Sequence, residues 1–461
     1  MKSRPYAQLT LKNLLKFVSG YDKITLYYIS GFIMKKRAIP LLLAAFAAAC
    51  LAGGCGSGES GSIIILDGKN EQTKKTALTV YGHRTDRYSL SVIEGALQGY
   101  MSAYSADVSY EGAADAYYWN ALDTRYKTDN LNDVFMTDRD RLLTMQDSLA
   151  DLTDAVNADA YNEFTRSQLY SADGKIYAAP TGISTYGLYV NYDLLQKHGQ
   201  SVPRNLSEFT AVCDYFVKNG VAPLVCNNYS SLSSLILARG LHETYARSDT
   251  ADEIEKFNAN PSALAAPLSD GVDLVYSMIE SNWIDLTEAA GTQSLCDDLS
   301  LFARGDRPFM ITGGWASATL RRILKREGKS LSYGIHAYPV LESSSVLVAQ
   351  ADSLISVKKG ENERAAKQLV SALTSPAVLL GLSENQSRFT ALGGHTQIDS
   401  DSAIIPSASY LVKGKYVVGS DRNLAVPLDS MLGECGTLIL GGSSADAVKA
   451  RLLELLKGVA V

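Results

Sequence analysis

The chain has 461 residues, 46% hydrophobic and 20% charged, a balance that fits a globular protein of two compact lobes and excludes a disordered or fibrous one. Its charge is uneven: residues 1–55 hold eight Lys/Arg and one acidic residue, which leaves 35 basic against 48 acidic residues in the remainder. A body at net −13 lacks the basic face that nucleic acid requires.

Met34-Lys35-Lys36-Arg37 and the apolar run at 38–54 have the charged start and hydrophobic length of a signal peptide, spanning 34–55. Met34 is therefore the expected start, and residues 1–33 read as an upstream extension. The run ends Leu51-Ala52-Gly53-Gly54-Cys55, which resembles a bacterial lipobox and implies lipidation at Cys55. Cys50, after three alanines, is a competing site. Residues 56–75 begin GSGESGS and read as a flexible tether. Ile24–Ile33 is too short to span a bilayer, and no later segment is long and apolar enough. The expected place is the outer face of the cell membrane, held by lipid. Cys213, Cys226, Cys296 and Cys435 show no CxxC spacing and read as buried free thiols.

Ala77–Tyr81 reads as a strand, followed by the polar loop Gly82–Tyr88 and a helix capped by Ser89 or Ser91, with Ile93, Leu97, Tyr100 and Tyr104 at helical spacing. Val108–Glu111 is a second strand, 117–128 a helix, and Asn132–Thr137 a third strand. This β-α-β-α-β order predicts an α/β, mainly parallel sheet flanked by helices. Gly174–Pro180 reads as a short strand before a crossing to a second lobe. Beyond it come a helix to Lys218, a strand near Gly220–Asn228, and helices over Gly271–Ser281 and Ala316–Glu327. Tyr333–Val340 is a strand, and Val346–Val357 recrosses. Helices follow at Glu361–Leu373, from Pro376 with Ser375 as cap, and at Asp446–Lys457 capped by Ser443 or Ser444.

Between them Arg304–Arg322 reads as a loop, a buried strand (Phe309–Thr312), a Gly313-Gly314 turn and a helix. That order presents backbone to a ligand at a strand's carboxyl end, where glycines permit close approach. Phe302 to Trp315, F-x-x-G-x-x-x-x-M-x-x-G-G-W, resembles a segment of the extracellular solute-binding proteins of ABC importers, the maltose-binding-protein-like family 1. Tyr186–Gly199 (YGLYVNYDLLQKHG) with Val202–Phe209 is similar to another signature of that family, and Gly220–Asn228 extends it; Leu206 stands where tryptophan is usual. The resemblance spans roughly 77–457. It implies a two-lobed periplasmic-binding-protein-like fold of type II with the ligand cleft at the hinge. Lobe I would be 76–183 and 346–400, and lobe II 184–345 and 401–461.

The resemblance further implies ligand contacts at Tyr81, His83, Arg84 and Asp86 in the first-strand loop, and at Thr137 and Asp138 at the third strand's end. Ser184 and Tyr186 would contribute from the crossing segment, Asn227, Asn228 and Tyr229 from a strand-end loop, and Gly313, Gly314 and Trp315 from the glycine turn, with Trp315 stacking on a sugar ring. Tyr81 also reads as an inward strand residue, Asp86 as a helix cap, and Asp138 as a residue serving its own turn. Met136-Thr137 stands where the family has a stacking tryptophan, which leaves the length of the sugar open.

Read from residue chemistry, binding suits the chain. A neutral sugar offers C–H faces to rings and hydroxyls to polar groups, and 26 Tyr against 11 Phe supply both. Catalytic signals are missing: the five histidines form no HxxxH or HExxH pair, and there is no G-x-S-x-G or GxxxxGK[ST]. The GxGxxG at 56–61 sits inside the tether with no strand before it. No metal or cofactor is expected. The expected partners are a small solute, a carbohydrate first, and the membrane permease subunits of an importer, with the protein itself a monomer. The alternatives are a sensing lipoprotein that reports to a membrane kinase, an iron-chelate or peptide binder of the same fold, and a secreted glycosidase.

Overall fold

The computed structural model describes residues 64–67, 75–227, 230–292, 297–384, 386–394 and 402–459. The signal peptide, Cys55, Asn228, Tyr229 and Cys296 lie outside the described residues. Part of the expected tether does not: Ile64–Asp67 (β1) pairs antiparallel with Ala106–Gly112 (β3). The β-branched run Ile63-Ile64-Ile65 favours a strand over a polar linker.

The first sheet has the order β1-β3-β2-β4-β10, with β2 at Thr76–Gly82, β4 at Val134–Thr137 and β10 at Leu354–Val357. β2 pairs parallel with β3 and β4, as the alternating pattern predicted. The helix between β2 and β3 runs Arg87–Ala103 and is capped by Asp86, ahead of Ser89 or Ser91, because the Asp86 carboxylate accepts the Tyr88 and Ser89 N–H groups. Ile93, Leu97 and Tyr100 face the first core with Leu78, Val80, Val108 and Phe135.

The second sheet has the order β11-β9-β5-β7-β6, and β8 also pairs with β5. Its strands are β5 (Gly182–Asn191), β6 (Leu224–Cys226), β7 (Phe309–Gly313), β8 (Tyr333–His336), β9 (Leu347–Asp352) and β11 (Tyr416–Val418). Both sheets are mixed rather than mainly parallel. β5 is antiparallel to β7, β8 and β9, and β10 is antiparallel to β4. Connectivity explains the β5–β9 pair, since β5 carries the chain into the second sheet and β9 carries it out, so the two run in opposite senses. Period-two alternation buries both faces: Leu188 and Val190 enter one core, Ile183 and Tyr189 the other.

The return crossing falls at Ser353, in left-handed conformation (φ 51°) between β9 and β10, later than the sequence boundary at 346. The expected strand at 174–180 is reduced to isolated bridges, Tyr170 to Ile176 and Ala179 to Ile355. Cys213, Cys226 and Cys435 are buried free thiols. Among the described residues no single helix is long and apolar enough to cross a membrane. The helices Glu363–Leu373 and Pro376–Glu384 reach that threshold only as a bent pair, and their Leu369, Val370 and Leu379 belong to the first core.

Candidate ligand-binding site

β6 and β7 run parallel, so their carboxyl ends share one rim of the second sheet. Gly313 lies opposite Tyr186 in the β5–β7 register. The Trp315 indole folds back over Gly313: a Cβ there would stand 2.1 Å from Trp315 Nε1. Gly314 packs on Thr185, to whose carbonyl its N–H donates at 2.6 Å. Neither glycine has positive φ, so their role is close approach. The sequence reading gave that room to a ligand; the structure fills it with the protein's own ring. Tyr189, through its hydroxyl, holds the turn by donating to the Gly313 and Gly314 carbonyls at 2.8 and 3.2 Å.

Tyr186 and Trp315 are both half-buried. Burial raises the Tyr186 phenol above its ordinary pKa, and the Asp429 and Asp352 carboxylates raise it further. Hydrogen bonding by the Trp315 and Ser230 side chains opposes them. The geometry at this strand end is that Gly313 stands opposite Tyr186 while the Trp315 indole lies over Gly313, so β5 and the glycine turn share it. Asp429, in the helix Leu428–Leu440, is exposed and accepts from the Ser420 hydroxyl.

The first sheet meets this cluster through Arg84. Asp352 Oδ2 lies 2.6 Å from Arg388 Nη1 and 3.8 Å from an Arg84 nitrogen, and accepts from the Ser184 hydroxyl at 2.7 Å. Arg84 and Arg388 both reach Ser353 Oγ, and His83 Nε2 approaches it at 3.3 Å. The low exposure of both guanidinium side chains (9%) makes this a buried ion-pair network, which fixes geometry at the crossing more than it adds net stability. The His83 ring lies 5.4 Å from Trp119, in the helix Asp115–Lys127, so an unforeseen aromatic pair borders the same side.

Residues 96–400 match the family of bacterial extracellular solute-binding proteins. The chain belongs to that family. No curated protein matches it in sequence. Among solved structures it is similar to MsmE of Bacillus subtilis in an open conformation, at 17% identity and TM-score 0.64, covering 84% of this chain and 98% of that one. It is also similar to RafE in complex with raffinose (17%, TM-score 0.63, 83% and 99%) and to a chitin oligosaccharide binding protein (15%, 0.67, 84% and 99%). At such identities the likeness shows the two-lobed fold.

In this solute-binding protein the remaining expected contacts fall differently. Tyr81 is 1% exposed, its ring stacked on Tyr118 at 4.5 Å and covered by Arg125 at 4.0 Å, so both faces are closed. Asp86 caps its helix and accepts from Gln386 at 3.0 Å. Thr137 is buried, and Asp138 caps the helix Arg139–Met145 while pairing with Arg141. Asn228 and Tyr229 lie outside the described residues. The sequence reading did not name Arg388, Asp352 or Trp119, which the structure places beside Arg84, Ser184 and His83. A faint signal existed for Asp352, because Asp352-Ser353 interrupts the apolar stretch Val346–Val357. A cavity of about 680 Å³ beside the cluster, lined by Asp140, Leu143, Pro427, Met431, Arg451 and Leu455, has no aromatic ring to stack on.

Proposed function

We propose that the protein captures a sugar or short oligosaccharide between its two lobes and delivers it to the permease of an ABC importer. The observation that carries this reading is the strand end where Gly313 stands opposite Tyr186 with the Trp315 indole folded over it, and where Ser184 on the same strand donates to Asp352. Two rings offer faces to sugar C–H groups, and the hydroxyls and carboxylates match sugar hydroxyls. That RafE is described with raffinose, and another relative as binding chitin oligosaccharide, supports the ligand class. Lobe I would comprise 76–183 and, with the crossing moved to Ser353, 353–400, and lobe II 184–352 and 401–461. Ligand contacts from both lobes would favour the closed arrangement by differential affinity. The lipobox-like LAGGC at 51–55 supports a lipid anchor at Cys55 on the outer face of the membrane, with the protein acting as a monomer beside the permease. Binding without turnover is the expected activity. An iron site built of clustered tyrosines is disfavoured here, because Tyr110 and Tyr118 are buried and donate to main-chain carbonyls.

The test is calorimetric titration of the full chain in mild detergent against mono- and oligosaccharides. Micromolar or tighter binding of one sugar class, weakened roughly 30-fold in Trp315→Ala, is the expected result. Silence from folded protein across the panel would overturn the sugar reading.

A further inference from the structure

Behind the glycine turn lies a buried polar network that the binding cluster does not itself use. Asn227, 2% exposed, directly follows β6. Its Oδ1 accepts the Ser230 and Ser231 N–H groups at 3.0 and 3.3 Å, and its own N–H donates to Ser231 Oγ at 2.9 Å. Ser231 Oγ donates in turn to the Ile311 carbonyl of β7. Because two main-chain donors face Oδ1, the amide nitrogen must point the other way. There it donates to Asp298 Oδ2 at 2.9 Å and to Thr312 Oγ1 at 3.2 Å.

We infer that Asp298 is a positioning residue of the ligand site: by fixing the Asn227 amide it ties the Ser230 and Ser231 main chain to the end of β7, where Gly313 stands opposite Tyr186. The inference rests on the proposed function for its ligand, though not for its geometry. Asp298 holds Asn227, and Asn227 holds the Ser230 main chain. Thr312 ties the same amide to the strand that ends in Gly313, so both halves of the rim depend on one side chain.

Asp298 is 1% exposed, and burial raises its carboxyl to about 6, with Asp297 on its own helix pushing in the same direction and Asn227 and the Leu299 N–H opposing. From the neighbouring strand it is faced by the Cys226 thiol, whose pKa both Asp298 and Glu288 raise. Glu288 is itself paired with Arg307 at 2.9 Å. An ionised acceptor holds an amide more strongly than a neutral acid does. Protonation therefore loosens the grip on Asn227, and a ligand that needs the loop in one conformation binds less tightly below the midpoint.

The test uses the full chain in detergent with selectively ¹⁵N-labelled asparagine and tryptophan, over pH 4.5–8. In the wild type the Asn227 side-chain amide and the Trp315 indole N–H resonances are expected to titrate together near pH 6. Affinity for the sugar that binds should fall about five-fold through the same range, the difference between a charged and a neutral acceptor. Asp298→Asn keeps the shape and removes the titration, so its resonances and its affinity should stay flat, at the level the wild type reaches in acid. Thermal melting at pH 7.5 checks that the variant is folded. An Asn227 amide that does not titrate overturns the inference, as does one that titrates without Trp315 following, or an Asp298→Asn protein that keeps the wild-type pH profile. If no sugar binds, the two resonances still decide it, and that failure belongs to the ligand assignment alone.

Discussion

The two strand-end rims carry similar residues and do different work. On the second sheet, Tyr186 stands opposite Gly313 with the Trp315 indole over that glycine, and both aromatic residues are half-buried. On the first sheet, Tyr81, Asp86, Thr137 and Asp138 are each occupied locally, as core ring, helix cap, buried hydroxyl, and cap with ion pair. What the first sheet sends toward the second is His83 and Arg84, which meet Ser353 at the crossing, while Trp119 borders His83. A carboxylate just before a helix satisfies orphan N–H groups first, and only a residue relieved of that duty is left for a ligand. The glycine turn is relieved in this way because Trp315, its helix cap, uses no side-chain hydrogen bond for capping.

Substitutions can break or sharpen this contrast. Tyr81→Ala removes a ring held between Tyr118 and Arg125 and should cost about 3–5 kcal/mol of stability in denaturant unfolding. The folded fraction of that variant should retain its sugar affinity, and a specific loss of affinity would place Tyr81 in the cleft. Trp315→Ala should do the reverse, weakening binding roughly 30-fold in calorimetry with little change in unfolding. Gly313→Ala probes the same ring without removing it. The added methyl would collide with the indole, so tryptophan emission should shift to the red and affinity should drop toward that of Trp315→Ala. Unchanged emission would mean that the turn yields instead. Asp86→Ala should have the smallest effect, about 1 kcal/mol from the lost cap, visible in thermal melting and absent from the binding isotherm.

Much of the fold was legible because its signals are local. Helical spacing at Ile93, Leu97 and Tyr100 marked the first helix, and Ser444 caps the last one as the sequence suggested. The strand, glycine pair and helix around Trp315 were readable for the same reason, since each step depends on neighbours a few residues away. Strand sense was not legible. A run of alternating or apolar residues reads the same in either direction, and only the path of the chain through both sheets makes β5 and β9 antiparallel.

The binding cluster divides along the same line. Sequence alone determined that a tryptophan follows two glycines at a strand end and that a helix begins there. Tertiary structure decided that Tyr186 lies in a strand opposite Gly313, that Asp352, Arg84 and Arg388 share one buried network, and that Asp298 reaches Asn227. Those groups come from segments far apart along the chain. Their chemistry is set by desolvation and by neighbouring charge, and neither exists until the sheets have packed.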